Sequence, residues 1–540
     1  MSSSDIPRPY SYQEKALCNL MMLRQSGVRR SLVVMASGLG KTYLSAFDAR
    51  NFEEETGRQA RILYLAHQGI ILEQAERTYR SVFGDARTYG RFDGIVRDYD
   101  VDILFATFQS MYRHLEMFPR GAFDYGVVDE AHHTPARTRE EVMDHFVFGF
   151  QMGLTATPDR YDGRDVYEYY DNVVAFNLPL EKALAEGLLT PIHYVMYTDR
   201  VKPAELRRYL ADLGSAGHKR SRLVFEPRPD EEIVRIVNRR AEEECDGGKI
   251  IVFCNSLDQM DHFSDLFAGS VTVSCRDTRG QQVAKIDAFA AGRYRVLLAR
   301  DVLNEGVDVP SADVLVFLRN TESPVVFLQQ LGRGLRRFPG KNKMLVLDFT
   351  ASIDRISYVY SFYSRLRAYL ASRDFGQDDA MHATAHTIPE VCRVEFDETA
   401  LSIVRALLNK KIEAGKIMSL PAIVYIFDDA ISIHTLQHLM RLGRLVPDYE
   451  WPDERGHIIH LFDHVTVRRF VRLVGSRRLT RGMLSEAEFA RRIGKDVKWL
   501  RRQERWGYLS PSWVYYSGIG RAEFFYTQRD LDLYLNKDGR

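Results

Sequence analysis

Cysteine is scarce in this chain. Its five thiols, Cys18, Cys245, Cys254, Cys275 and Cys392, lie far apart, include no C-x-x-C pair and are odd in number. That spacing excludes zinc ribbons and cysteine-held iron–sulfur clusters and fits a reducing compartment, where thiols are small buried hydrophobes. Long apolar runs are missing too: none approaches the roughly 20 residues of a membrane span. The first ten residues, MSSSDIPRPY, lack the apolar stretch of a secretory signal. The expectation is a cytoplasmic protein with no membrane partner. Net charge is also nearly absent, 74 Lys and Arg standing against 73 Asp and Glu for a formal +1. A basic coat is excluded, but a local basic face is not.

What is present is length and alternation. A chain of 540 residues is too long for one core and implies three or four domains. From Ser31 to about Phe253, short β-branched runs such as SLVVMA, RILYLA, DILFAT and YGVVDE alternate with amphipathic stretches. A second series begins at KIIVFCN and continues through VTVSC, RVLLAR, VLVFLR and MLVLDF. Strands separated by helices predict parallel sheets covered on both faces, so the fold class is α/β with two lobes in tandem. The charge-rich stretch SAGHKRSRLVFEPRPDEE reads as a linker or insertion between them. After about Leu370 apolar residues recur at helical spacing and arginine becomes frequent; no short internal repeat or low-complexity tract is visible. The expected domains are 1–195, a linker or insertion at 196–235, 236–370, a helical connecting region 371–465, and 466–540.

In VVMASGLGKTYLSAF a strand runs into Gly38, Gly40, Lys41 and Thr42, and a helix follows. Glycines let backbone N–H groups approach an anion, and the new helix points its positive end there. Lys41 would reach the β/γ-phosphates of a nucleotide and the Thr42 hydroxyl would hold magnesium. In YGVVDEAHH a hydrophobic strand delivers Asp129 to its carboxyl end, where open α/β sheets place their sites. Asp129 would bind magnesium, and Glu130 would orient and deprotonate the attacking water. His132 and His133 are adjacent, point different ways and have no third ligand, so zinc is not expected.

Together MASGLGKT, VVDEAHH and GLTATP resemble the superfamily-two nucleic-acid helicases and translocases, over roughly residues 8 to 350. The resemblance implies two RecA-like lobes. Gln13 in PYSYQEKAL looks like the family's adenine-reading glutamine, although the local pattern departs from the commoner Arg-Pro-Tyr-Gln. LYLAHQGIILEQA and ATFQSMYR resemble motifs that grip a nucleic-acid backbone, with Thr107 and Gln109 as candidate phosphate contacts. GLTATPDR resembles the motif that couples hydrolysis to strand movement, through Thr155 and Thr157. In the second lobe DVLNEGVDVP and FLQQLGRGLRR fit the same family. Arg333 and Arg336, three apart on an expected helix, share one face and would act as arginine fingers. Gln329 would position the water or sense the γ-phosphate, while Gly306 and Asp308 are candidates for a turn near the ribose.

Further on, LSEAEFARRIGKDVKWLRRQERWGYLSP predicts two short helices capped by Ser485 and Asp496 and joined at Gly494, a helix-turn-helix. The second presents Lys498, Arg501, Arg502 and Arg505 to phosphates or guanine edges. With SWVYYSGIGRAEFFYTQRDLDLYL reading as a β-hairpin wing and a helix, residues 484–536 resemble a MerR-type winged helix-turn-helix. From Arg468 to Arg505 thirteen basic residues stand against four acidic ones, so the neutral total conceals a basic lobe. AISIHTLQHLMRLGRLVPD is a candidate further helix-turn-helix. The function expected is an ATP- and Mg2+-dependent DNA helicase or translocase acting in DNA repair or antiviral defence. Its partner is nucleic acid, DNA before RNA, with a nuclease subunit as a candidate protein partner because no nuclease constellation appears in the chain. The alternatives are an RNA helicase and an ATP-driven conformational switch that docks a protein.

Overall fold

A computed structural model of the protein describes residues 7–67, 69–130, 136–156, 166–171, 173–212, 225–300, 312–318, 331–332, 334–335, 337, 341–374, 392–413, 415–427, 430–452, 458–480, 482–505, 508–517 and 522–538. The chain divides into two compact units. One holds residues 1–183, 187–193 and 234–347, the other 184–186, 194–233 and 348–540.

The first sheet uses β1 (Arg30–Met35), β2 (Ile62–Ala66), β3 (Tyr89–Phe92), β4 (Ile103–Thr107), β5 (Tyr125–Val128), β6 (Phe150–Thr155) and β7 (Val174–Leu178). Its order is β3-β4-β2-β5-β6-β1-β7, and every neighbouring pair is parallel. Strands β2, β5 and β6 are buried along their whole length. A sheet covered on both faces needs continuous rather than alternating apolar runs, and that is what ILYLA and YGVV supply. Because β1 and β5 flank β6, the loops leaving their carboxyl ends face each other across one strand.

A second seven-stranded sheet is built from β8 (Ile192–Thr198), β11 (Ile250–Phe253), β12 (Ser270–Val273), β13 (Val296–Ala299), β14 (Val314–Phe317), β15 (Met344–Thr350) and β16 (Cys392–Phe396). Its order is β12-β13-β11-β14-β15-β8-β16, with β12–β13, β13–β11 and β11–β14 parallel. The short strands β9 (Arg200–Val201) and β10 (Phe225–Glu226) pair antiparallel as a separate ribbon. The expected linker therefore has structure of its own: β8 runs through residue 195, and a helix, Pro203–Asp212, lies between the ribbon's strands.

In the second unit, residues 417–538 repeat one arrangement twice. First come β17 (Ile417–Ser419), helices Leu420–Ile426 and Ile433–Arg441, β18 (Tyr449–Pro452), β19 (Ile458–Asp463) and helix His464–Val474. Then follow β20 (Leu484–Ser485), helices Glu486–Arg492 and Val497–Arg505, β21 (Trp513–Tyr515), β22 (Glu523–Tyr526) and helix Gln528–Asp538. The two small antiparallel sheets have the same permutation, β17-β19-β18 and β20-β22-β21. One hydrophobic core runs from Leu420 to Leu531 through both copies, and helix His464–Val474 passes through the expected boundary at 465. The expected caps are present: the Ser485 hydroxyl accepts from Glu488 N, and Asp496 Oδ1 accepts from Trp499 N at 2.6 Å. Among the described residues no helix is long and apolar enough to cross a membrane.

Packing of the first sheet leaves no room at Gly153, where an added Cβ would lie 2.3 Å from the Tyr170 ring. Gly153→Ala is expected to lower folding stability by about 1–3 kcal/mol in urea denaturation, whereas Gly94→Ala, with nothing within 4 Å, should stay within about 0.5 kcal/mol.

Candidate nucleotide site

Strand β1 is buried to its end at Met35, and the Ala36 N–H donates to Leu178 O on β7 at 2.9 Å. The chain then turns through Gly38 (φ 87°) and Gly40 (φ 78°), left-handed positions that favour glycine. Gly40 precedes helix Lys41–Thr56 without a side-chain cap, so the first-turn N–H groups stay available to an anion. Gln13, 1% exposed, braces this loop from helix Ser11–Gln25. Its Nε2 donates to Leu39 O and Gly40 O at 3.3 and 3.1 Å, and its Oε1 accepts from Tyr10 N at 2.9 Å. Both ends of the amide thus serve the protein itself in this structure.

Across β6, β5 delivers Asp129 and Glu130. Lys41 Nζ and Glu130 Oε1 form an ion pair at 2.9 Å with both side chains largely buried. Glu130 has φ 46°, one of three positive-φ non-glycine residues among those described, a conformation sustained only where surrounding contacts dictate it. Asp129 is 6% exposed. Its Oδ1 accepts from Glu130 N at 3.0 Å, and its Oδ2 accepts from the Tyr64 hydroxyl at 2.5 Å. Burial, and then the adjacent Glu130 charge, push the Asp129 carboxyl above the usual carboxylate range; Lys41 and Tyr64 oppose that shift. Asp129, Glu130, Lys41 and the loop are therefore brought together as expected from their order on the sheet.

Tyr64, on β2, was not among the candidates: a phenol inside ILYLA reads as core. Fully buried, it bonds Asp129 and has the Thr42 side chain as an electrostatic neighbour, so one hydroxyl lies beside both expected magnesium ligands. Tyr79 packs edge-on against Tyr64 and donates to Ser45 Oγ at 3.0 Å, and Ser45 Oγ donates to Thr42 O at 2.8 Å. Deeper still, Asp48 takes a Tyr125 hydroxyl at 2.5 Å and Arg24 at 2.7 Å. A second feature missed from the sequence is Gly332 in QQLGRGLRR. An added Cβ there would lie 2.6 Å from Ser37 Cβ, so Gly332 meets the phosphate loop directly.

The remaining candidates fall differently. Thr107 spends its hydroxyl capping helix Phe108–Arg113, accepting from Ser110 N and donating to Ser110 Oγ, while Gln109 is exposed. Thr155 is buried at the end of β6 opposite Val34. Arg501 is held by Glu486 through two bonds of 2.9 and 2.6 Å, but Lys498, Arg502 and Arg505 are exposed. Thr157, Gly306, Asp308, Gln329, Arg333 and Arg336, with His132 and His133, lie outside the described residues.

Residues 6–160 match the family model for the type III restriction enzyme res subunit, and residues 231–337 match the helicase conserved C-terminal domain. The two matched segments carry the phosphate loop with Asp129 and Glu130, and the Gly332 stretch. IRC3 of Saccharomyces cerevisiae, named as an ATP-dependent helicase, is 25% identical over 361 residues, covering 63% of this chain and 51% of its own. The type I restriction enzyme EcoAI endonuclease subunit of Escherichia coli is 25% identical over 380 residues, 63% of this chain and 46% of its own. The DNA 3'-5' translocase XPB2 of Sulfurisphaera tokodaii is 24% identical over 341 residues, 57% of this chain and 75% of its own. The chain spans about half the length of the first two relatives. Among solved structures, the ATP-dependent type ISP restriction-modification enzyme LlaBIII bound to DNA shares the fold, with TM-score 0.51 and 16% identity over 75% of this chain and 33% of that one. Two tandem RecA-like lobes account for the two seven-stranded sheets.

The Tyr64–Asp129 bond has a direct test independent of any ligand. In a double-mutant cycle of Tyr64→Phe and Asp129→Asn, the pair should couple by about 1.5–3 kcal/mol of folding stability, as expected for a hydrogen bond to a buried charge.

Proposed function

We propose that the protein is an ATP-dependent DNA helicase or translocase in which hydrolysis is conditional on closure of two motor lobes. The observation that carries this reading is the Lys41–Glu130 ion pair beside Asp129, at the carboxyl ends of β1 and β5. Backbone N–H groups of Gly38 to Thr42 and the Lys41 ammonium bind the β/γ-phosphates. Phosphate competes with Glu130 for Lys41, and release of Glu130 leaves its carboxylate to orient the attacking water and take its proton. The residues fit magnesium: a buried carboxylate whose charge is only partly compensated, and a threonine hydroxyl whose neighbour Tyr64 donates to that carboxylate. When bound there, the ion would supply charge neutralisation at the phosphate oxygens; Thr42 and Asp129 would hold it. Gln13 braces the loop and turns its amide to adenine only by giving up one of its present partners. Gly306 and Asp308 are assigned to the ribose, and Gln329, Arg333 and Arg336 to the γ-phosphate, as the second lobe's contribution to the site; Gly332 of that lobe touches the loop.

Thr107, Gln109, Thr155 and Thr157 serve the strand path of the first lobe. The 484–536 segment acts as a MerR-type winged helix that holds DNA through Lys498, Arg502 and Arg505, with Arg501 bracing the helix. The motor lobes correspond in the main to 1–195 and 236–370, with β8 and β16 completing the sheet of the second. Similarity to a restriction endonuclease subunit supports a nuclease-bearing partner and a role in defence.

Steady-state ATP hydrolysis measured alone and with single-stranded DNA, duplex DNA and structured RNA tests this reading, with Lys41→Ala as the blank. DNA should stimulate the rate; stimulation by RNA alone, or by neither, overturns it. Glu130→Gln should retain ATP binding while lowering hydrolysis about 10²–10⁴-fold, the contribution of a positioned general base. A variant that still hydrolyses ATP at the wild-type rate removes Glu130 from that role.

A further inference from the structure

We infer that residues 417–538 are an internal duplication, two winged-helix modules fused through their second helices, and that only the second module presents a free cationic face for duplex DNA. The inference rests on the reading of the chain as a DNA motor and adds which surface of it meets the duplex.

Topology is the first support. Both copies run strand, helix, helix, strand, strand, helix, with the same sheet permutation. Their first helices, Leu420–Ile426 and Glu486–Arg492, have seven residues each, and their second helices, Ile433–Arg441 and Val497–Arg505, nine each. The sequence carries a faint trace of the same event. Leu436, Arg441, Gly443, Leu445 and Pro447 recur as Leu500, Arg505, Gly507, Leu509 and Pro511, each 64 residues on. Equivalent positions are also buried alike: Ile423 and Phe489 in the first helices, Leu436 and Leu500 in the second.

The copies are locked together. Glu504, 5% exposed on the second copy's second helix, accepts from Ser432 Oγ and Thr435 Oγ1 at the start of the first copy's second helix. Tyr516 N donates to Val474 O at 3.0 Å, Arg444 lies over the Trp513 ring, and Phe427 packs edge-on against Tyr516. Two second helices that pack on each other cannot occupy successive major grooves, which lie about 34 Å apart. One of them must meet the duplex while the other supports it.

Charge decides which. Lys498, Arg502 and Arg505 stand at i, i+4 and i+7, a single exposed stripe. Among the described residues none of the three is engaged in an ion pair or hydrogen bond, whereas Arg491, Arg492 and Arg501 beside them are paired with Glu488 and Glu486. The equivalent stripe of the first copy is His434, His438 and Arg441. Burial, then Arg441, holds His438 down to about 4, so it is uncharged at neutral pH. The first copy is a mount, and the second is the contact.

The test uses the full chain, because one core runs through both copies. Binding of a fluorescent duplex DNA is followed by anisotropy across a salt series. Lys498→Ala, Arg502→Ala and Arg505→Ala together should weaken binding at least about tenfold and reduce the slope of log affinity against log salt by about 2–3, three phosphate contacts' worth. His434→Ala with Arg441→Ala should leave affinity and slope unchanged. Arg502→Lys with Arg505→Lys, which keeps the charge, should restore most of the binding and so separates charge loss from misfolding. An unchanged slope in the triple variant, or an equal loss in the first-copy variant, overturns the assignment while leaving the motor reading intact. A wild-type chain with no salt-dependent duplex binding removes both.

Discussion

The Lys41–Glu130 ion pair is the constraint on which the candidate site is organised. A largely buried ammonium and carboxylate are costly to separate unless another partner replaces the one withdrawn. The pair therefore holds the first turn of the loop helix and the end of β5 in one geometry, and it yields only to a stronger anion. The left-handed backbone at Glu130 follows from this: the residue adopts an uncommon conformation because its carboxylate must reach back to Lys41 while its N–H caps Asp129 Oδ1. Behind the pair, Tyr64, Tyr79 and Ser45 extend the arrangement into the core, so that the loop is supported by side chains with no exposure to solvent.

Much of the two-sheet region was legible because a parallel sheet writes itself into sequence as uninterrupted apolar runs. SLVVMA, RILYLA, DILFAT and YGVVDE correspond to β1, β2, β4 and β5, and KIIVFCN through MLVLDF to β11 to β15. The Ser485 and Asp496 caps were readable for the same local reason, since short polar side chains before a helical run have few other uses. Tyr64 was not legible, because its partners arrive from positions 42 and 129 and a phenol in an apolar strand has the composition of core. Nor was the second use of Gln13: its loop-bracing bonds go to backbone carbonyls, which leave no mark on the residues that carry them. Arg501 looked like its neighbours, and only the tertiary position of Glu486 withdraws it from solvent.

The duplicated region escaped for a different reason. Five matched positions at a spacing of 64 residues are invisible to any search for short repeats, while topology preserves the event in strand order, helix length and sheet permutation. Exposed positions have diverged: Tyr425 and Ile426 at the end of the first copy's first helix stand where the second copy has Arg491 and Arg492. The candidate helix-turn-helix at AISIHTLQHLMRLGRLVPD holds one helix, Ile433–Arg441, capped by Ser432; the helix it pairs with, Leu420–Ile426, lies upstream of that stretch.

The contact between Gly332 and Ser37 has a mechanical meaning. Two surfaces that meet with no room for even one carbon behave as a stop, since dense packing transmits displacement rather than absorbing it. A shift of the loop at Ser37 is therefore felt at Gly332. Gly332 and Ser37 thus form a bearing surface made of a glycine and a serine, across which a change in the loop's shape passes as displacement.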